Sequence, residues 1–89
     1  MNSRTTPNFR KLYRALPLQL RKQANDAYKR WQISPRASGI RFKQLSGTDS
    51  YYSARVNQDY RVIGELRGDT IYWDFIGTHD DYTRYLRNL

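Results

Sequence analysis

The hydrophobic spacing of this chain changes once, at Ile40, and the change determines which elements are predicted on either side of it. Before Ile40, apolar residues recur every three or four positions, as on one face of a helix. After Ile40, apolar and polar residues alternate, as in a strand with one buried face. A chain of 89 residues with this pattern is predicted to form one small domain, residues 1–89, in which helices precede a sheet.

Two helices are predicted before Ile40, separated by Pro17. Thr6 and Pro7 have the pattern of a helix N-cap followed by proline at the first helical position. We expect residues 1–6 to be flexible, because no apolar pattern precedes this cap. The apolar stripe of the first helix comprises Phe9, Leu12, Tyr13 and Leu16, and that of the second comprises Leu20, Ala24, Ala27, Tyr28 and Trp31.

Four strands and a last helix are predicted after Ile40. In the fourth strand, Ile71, Trp73 and Phe75 are expected to share one face. Thr78 and Asp81 have the spacing of a capping box, in which each side chain bonds the other residue's backbone N–H, so a short C-terminal helix should follow. The predicted class is α+β: an N-terminal helical hairpin packed on a small antiparallel four-stranded sheet, with a short C-terminal helix. The predicted strands are 40–45, 51–56, 60–66 and 70–76.

Positive charge is concentrated in the first half of the chain. Residues 1–50 carry a net charge of +9 and residues 51–89 carry −1, which together give +8. Such a basic half predicts a polyanionic partner, either nucleic acid or an acidic protein, although it also fits a solubilising surface. The absence of cysteine excludes thiolate metal sites, and with one histidine we expect no metal and no cofactor. No apolar run approaches the ~20 residues of a membrane span, so we expect a cytoplasmic protein without a membrane partner.

Basic residues occupy the polar positions of the predicted strands. Arg41, Lys43 and Arg55 lie opposite the apolar face, and Arg61 can join them from the next strand. A row of such cations would hold a phosphate backbone, or would simply face solvent. His79 is the natural candidate for acid–base chemistry, because histidine ordinarily titrates near neutral pH, but it also fits the role of a helix-start residue.

Nearly the whole chain, from about Thr6 onward, resembles the RelE/ParE superfamily of toxins from bacterial type II toxin–antitoxin systems. The resemblance rests on "YRV" at 60–62 after a basic strand, on "IG" followed by "THDDY" at 76–82, and on the helical hairpin with "LP" between its helices. It implies a toxin that a cognate antitoxin neutralises, with oligomers formed through that antitoxin. It further implies either metal-independent, ribosome-associated cleavage of messenger RNA or, as in the ParE branch, poisoning of DNA gyrase without nuclease activity. A non-toxic module that binds nucleic acid is a third alternative.

The resemblance also implies roles for individual residues. Arg61 would contact the scissile phosphate and Arg55 would assist with charge or proton transfer. His79 falls where ribonuclease members often place a catalytic basic residue. We expect it to act as the general acid, because Asp80 and Asp81 beside it favour the imidazolium, although these two acids also fit helix capping. The family's usual first strand is not evident before Phe9, and Ser53 stands where ribonuclease members tend to have another basic residue. Assisting tyrosines would be Tyr85 or Tyr82, and RNA affinity would come from Arg41, Lys43 and Arg36.

Overall fold

The computed structural model describes all 89 residues and contains three helices and five strands. The strands form one sheet in the order β1-β5-β4-β3-β2, in which β1 pairs with β5 in parallel and all other pairs are antiparallel. The predicted α+β class is confirmed, with the helical hairpin before the main sheet and a short helix at the end. The elements are β1 (Asn2–Thr5), α1 (Pro7–Arg14), α2 (Leu18–Ile33), β2 (Lys43–Gln44), β3 (Tyr51–Arg55), β4 (Tyr60–Arg67), β5 (Thr70–Thr78) and α3 (His79–Arg87).

The first strand corrects the expectation that residues 1–6 are flexible and that the sheet has only four antiparallel strands. The Asn2 N–H donates to the Asp69 carbonyl at 2.9 Å and the Thr6 N–H donates to the Trp73 carbonyl at 3.0 Å, so β1 lies along the outer edge of β5. This segment is polar and short, and it has no alternating pattern of its own. Its extended conformation comes from the open edge of β5, which lies some seventy residues away in the chain.

The strand predicted at 40–45 is reduced to the two residues of β2. Arg41 has a φ of +51°, in the left-handed region, which interrupts an extended chain. Ile40 still packs in the core, and its carbonyl accepts the Arg55 N–H at 2.7 Å. Arg41 and Lys43 therefore do not form the predicted row along one strand face.

A β-bulge at Asp74 reverses the side-chain alternation of β5. Ile63 lies opposite Phe75 whereas the next residue, Gly64, lies opposite Trp73, which leaves Asp74 without a cross-strand partner. The prediction that Ile71, Trp73 and Phe75 share a face is therefore wrong, because an inserted residue moves every later side chain to the other face.

The sheet consequently has two covered faces. On one face, Ile71 and Trp73 pack with Ala27 and Trp31 of α2. On the other, Ile63 and Phe75 form a second cluster that α3 covers with Tyr82, Tyr85 and Leu86. None of the three helices combines the length and the apolar character that crossing a membrane requires.

The cap of α1 agrees with its sequence pattern. The Thr6 hydroxyl accepts the Phe9 N–H at 3.1 Å, with Pro7 at the first helical position. The same hydroxyl donates to the Asp74 carboxylate at 2.6 Å. The bulge therefore anchors the start of α1 to β5.

Candidate anion-binding site

Three of the predicted site residues meet at one end of the sheet. Arg55, the last residue of β3, lies directly opposite Arg61 of β4. Arg61 in turn lies opposite Gly77 of β5, and His79 begins α3 two residues later. The tight connection 57–59 determines the Arg55–Arg61 register, and the end of β5 determines where α3 starts.

Arg61 is held by the turn that precedes it. Its Nη1 donates to the carbonyls of Asn57 at 2.7 Å, Tyr60 at 3.0 Å and Gln58 at 3.2 Å. The Asn57 side chain orders this turn by accepting the N–H groups of Asp59 and Tyr60 at 2.8 and 2.9 Å. The Arg61 guanidinium is therefore oriented before any ligand arrives, and its Nε and Nη2 have no acceptor within the protein.

The electrostatic environment of Arg61 disfavours its own charge. Partial burial lowers the pKa of the Arg61 guanidinium, and repulsion from Arg55 and from Arg41 lowers it further. The two ion pairs of the structure are Arg67 with Glu65 and Arg84 with Asp81, so neither involves Arg55 or Arg61. Like charges directly opposite each other on adjacent strands destabilise a sheet, so the Arg55–Arg61 pair would gain from a bound anion.

His79 lies at the rim of this pair. Its imidazole is exposed and lies against the ring of Tyr82, with ring centroids 5.7 Å apart. Its backbone N–H donates to the Asp59 carbonyl at 2.9 Å, which joins the start of α3 to the turn that holds Arg61. The site thus contains one titratable imidazole and one phenol beside two arginines.

The start of α3 follows the predicted cap only in part. The Thr78 hydroxyl accepts the Asp81 N–H at 3.2 Å, as predicted. The Asp81 carboxylate does not reach back, because it pairs with Arg84 one turn along the helix. A side chain at Gly77 would come within 2.8 Å of the Phe75 ring and 3.3 Å of the Asp81 Cβ, so glycine there permits α3 to begin close to the sheet.

Tyr85 has a different environment from Tyr82. Its hydroxyl donates to the Asp74 carboxylate at 2.8 Å, and its ring packs against Phe75. Burial raises the pKa of the Tyr85 hydroxyl, and the bond to Asp74 raises it further. No hydrogen bond connects Tyr85 with Arg55 or Arg61, so the structure places this hydroxyl at the bulge.

The three residues predicted to bind RNA lie in different parts of the fold. Arg41 is close enough to Arg61 to affect its pKa, whereas Lys43 lies opposite Ser53 on β2. Arg36 is exposed in the turn after α2. No three histidine or acidic side chains are grouped so that they could hold a metal ion.

Sequence reasoning missed the bulge at Asp74 and the hydrogen bond between Thr6 and Asp74. The available signals were an isolated charge inside the apolar strand and single glycines at 64 and 77, which often mark a bulge or a close approach. Those signals indicate an irregularity without locating it, because the bulge position depends on the register with β4.

Comparison with known proteins identifies a family for most of the chain. Residues 18–84 match the family model of the ParE-like toxin domain. No curated protein sequence matches the chain significantly.

Solved structures share the fold at low sequence identity. A chain of the RelB–RelE antitoxin–toxin complex from Methanococcus jannaschii is 23% identical, with 91% of this chain and 95% of that chain covered and a TM-score of 0.72. The YoeB/ParE toxin from Agrobacterium tumefaciens is 18% identical, with 89% and 99% covered and a TM-score of 0.70. YafQ from E. coli is 18% identical, with 91% and 96% covered and a TM-score of 0.65.

Proposed function

The chain belongs to the ParE-like toxin family of toxin–antitoxin systems, and on that premise we propose that it is a toxin that cleaves messenger RNA without a metal ion. The cleavage site comprises Arg55, Arg61, His79 and Tyr82. We further propose that cleavage takes place on the ribosome and that a cognate antitoxin neutralises the chain. The predicted membership of the RelE/ParE superfamily is confirmed by the family match.

One observation supports an anionic substrate above all others. Arg55 and Arg61 face each other across β3 and β4, and neither has a carboxylate partner. Proteins keep such a costly pair where a ligand compensates it. Phosphodiester cleavage passes through a pentavalent phosphate on which negative charge develops, and two adjacent guanidinium groups stabilise that charge more than they stabilise the ground state.

The remaining groups of the site suit transfer of the proton to the leaving oxygen. The ribose 2′-oxygen attacks the adjacent phosphorus, the bond from phosphorus to the 5′-oxygen breaks, and a 2′,3′-cyclic phosphate and a 5′-hydroxyl form. The 2′ proton leaves to solvent. His79 in its imidazolium form donates a proton to the departing 5′-oxygen, and Tyr82, whose ring lies tilted beside that imidazole, donates a hydrogen bond to a phosphate oxygen.

An antitoxin partner is supported by the family and by the structural neighbours. Three of the neighbours are antitoxin–toxin complexes: RelB–RelE from Methanococcus jannaschii, RelE–RelB from Pyrococcus horikoshii and RelBE from E. coli. We propose that this chain forms the corresponding complex and that any larger assembly is built through the antitoxin.

A second candidate function is poisoning of DNA gyrase without nuclease activity. The observation that favours it is the threefold bonding of Arg61 to its own turn, which gives this arginine a structural role that needs no substrate. In that case the site residues would be dispensable for toxicity as long as the fold is intact.

The deciding experiment is the mapping of RNA 5′ ends in bacteria shortly after induction of the chain. We expect new, codon-phased ends inside coding regions with the wild type and with Arg67→Gln, a matched control at the far end of β4. Arg55→Gln and Arg61→Gln should reduce these ends by about 100-fold or more. Arg55→Gln makes the test robust, because this side chain anchors no turn.

The other outcomes of the same experiment are distinct. Intact messages with arrested growth and gyrase-dependent DNA breaks would contradict RNA cleavage and support poisoning of DNA gyrase. Intact messages with normal growth would leave a non-toxic basic module. Full cleavage by folded Arg55→Gln and Arg61→Gln variants would show that the site is elsewhere.

A further inference from the structure

A cavity of about 580 Å³ lies on the opposite side of the sheet from α3, between the helical hairpin and the sheet. Its walls are mainly apolar and include Phe9 of α1, Trp31 of α2, and Val62 and Trp73 of the sheet. This volume is in the range of small-molecule sites, which are typically apolar with a few convergent polar groups. Arg61 and His79 do not belong to its lining, so the cavity shares only Arg55 with the candidate anion-binding site.

Two side-chain hydrogen bonds hold α2 over this cavity. The Tyr13 hydroxyl of α1 donates to the Asn25 side chain of α2 at 2.9 Å. The hydroxyls of Ser3 in β1 and Tyr28 in α2 are also hydrogen-bonded to each other. All four residues belong to the cavity lining, so the helix is linked to both α1 and β1 across it. On the α2 side, Ala24 and Ala27 are too small to fill the space between helix and sheet.

Two buried hydrogen-bond donors in the cavity wall have no acceptor. Trp31 and Trp73 are 3% and 5% exposed, and neither indole Nε1 has a hydrogen-bond partner. The two rings pack edge to face with centroids 5.4 Å apart, so both donors belong to one cluster. A buried N–H without an acceptor is costly, and a ligand oxygen at this cluster would remove that cost.

The charge of the lining is entirely positive. Four arginines belong to it and no aspartate or glutamate does. Arg10 and Arg14 lie one turn apart on α1, and the Arg10 guanidinium is fixed by bonds to the Thr5 carbonyl at 2.8 Å and to the Thr5 hydroxyl at 3.0 Å. The other two arginines are Arg4 and Arg55.

We propose that this cavity binds a small molecule with an apolar body and a carboxylate, such as a medium-chain fatty acid. The apolar body lies against the aliphatic wall of the sheet, and the carboxylate, whose oxygens accept from the indole N–H groups, is neutralised by the arginines. A cationic amphiphile is excluded by the charge of the lining, and a neutral one lacks the favourable electrostatic contribution. This inference does not rest on RNA cleavage.

The structure offers a direct reporter for the experiment. Trp31 and Trp73 are the only tryptophans of the chain and both line the cavity, so intrinsic fluorescence reports occupancy. The probes are decanoate, decanol and decylammonium, each titrated below its micelle-forming concentration. We expect decanoate to change the emission saturably and to raise Tm by about 5–10 °C at ten times its Kd. Decanol and decylammonium should bind at least about tenfold more weakly.

Matched variants locate the binding site. Ala24→Leu fills the cavity from α2 and should abolish the decanoate response in a protein that melts no lower than the wild type. Arg10→Gln with Arg14→Gln should weaken decanoate about tenfold or more and leave decanol unchanged. Lys22→Gln with Lys29→Gln removes the same charge from α2 outside the lining and should have no effect.

Several results would overturn the proposal. These are the absence of saturable decanoate binding, equal binding of the three probes, and an unchanged response in folded Ala24→Leu, which would indicate adventitious adsorption. If Ala24→Leu fails to fold, the comparison of the arginine double variant with the lysine double variant still tests the proposal. Neither fluorescence nor Tm depends on toxicity, so failure here and failure of the proposed nuclease are separate results.

Discussion

At the scale of single residues, two tyrosines one turn apart on α3 have different surroundings. Tyr82 lies against His79 at the rim of the Arg55–Arg61 pair, while the Tyr85 hydroxyl is bonded to the Asp74 carboxylate in the bulge. Both are candidates for the same assisting role in the sequence, because the resemblance implies a tyrosine on the C-terminal helix and both lie there. Their surroundings favour Tyr82 for the reaction and Tyr85 for stability.

Exchanging each tyrosine for phenylalanine should therefore give opposite results. Tyr85→Phe removes one hydrogen bond to a carboxylate and should lower the free energy of unfolding by about 1–3 kcal/mol without changing the cleavage rate. Tyr82→Phe should leave stability within about 0.5 kcal/mol and slow cleavage by about tenfold or more. Urea denaturation and single-turnover cleavage measure the two effects. A folded Tyr85→Phe variant that has lost cleavage would show that Tyr85 takes part in the reaction.

The raised pKa of the Tyr85 hydroxyl should make the stability of the protein depend on pH in the alkaline range. Burial and Asp74 raise the pKa of Tyr85, so the folded chain retains the phenolic proton where the unfolded chain, with its ordinary pKa of about 10, releases it. The unfolded state then binds fewer protons, and stability must fall as pH rises above about 10, by up to about 1.4 kcal/mol per pH unit for one tyrosine. Below that pH the contribution is fully present.

The control for this pH dependence is Tyr85→Phe. Its free energy of unfolding should fall less steeply between pH 9.5 and 11 than that of the wild type. Some slope should remain, because burial also raises the pKa of Tyr51, with Glu65 adding to it. Equal slopes in the two proteins would contradict the protonated Tyr85–Asp74 contact.

At the scale of elements, the sequence predicted those whose pattern is local. The stripe of α2, the strands β3 to β5 and the Thr78 cap all follow from spacing within their own segments. The pairing of Arg55 with Arg61 can be predicted from the sequence for the same reason, since a three-residue connection fixes the pairing of a hairpin. Strand β1 and the Asp74 bulge depend on a partner strand distant in sequence, which no local pattern encodes.

The parallel strand β1 can be tested with one substitution and a matched control. Asn2 and Thr6 donate their N–H groups to β5, so by alternation the Arg4 N–H also faces β5. Arg4→Pro removes this donor and should lower the free energy of unfolding by about 1–3 kcal/mol, measured in urea. Arg4→Gln keeps the donor and should change it by less than about 0.5 kcal/mol. Equal effects would mean that β1 is not paired in solution.

At the scale of the whole molecule, most of the net charge lies in the helical hairpin and not at the site. Helices α1 and α2 contain seven of the sixteen cations and one acid, Asp26, which gives them +6 of the total +8. The Arg55–Arg61 pair lies at one end of the sheet. The hairpin would therefore attract a polyanion electrostatically, and the Arg55–Arg61 pair at the sheet would bind its phosphate. The residues that speed association would then differ from those that take part in the chemical step.

Charge removal from the hairpin should then affect RNA binding without affecting the chemical step. The triple variant Lys22→Gln, Lys29→Gln, Arg30→Gln should reduce the slope of log K against log salt by up to about 2, since each lost phosphate contact on single-stranded RNA contributes about 0.7. Single-turnover cleavage at saturating RNA should be unchanged.

The control is the triple variant Arg67→Gln, Arg84→Gln, Arg87→Gln, which removes the same charge. Two of these arginines are already paired with carboxylates, so the salt dependence of RNA binding should change less. Equal slopes would mean that net charge alone governs association. Slower cleavage by the hairpin variant at saturation would mean that α2 contributes directly to the site.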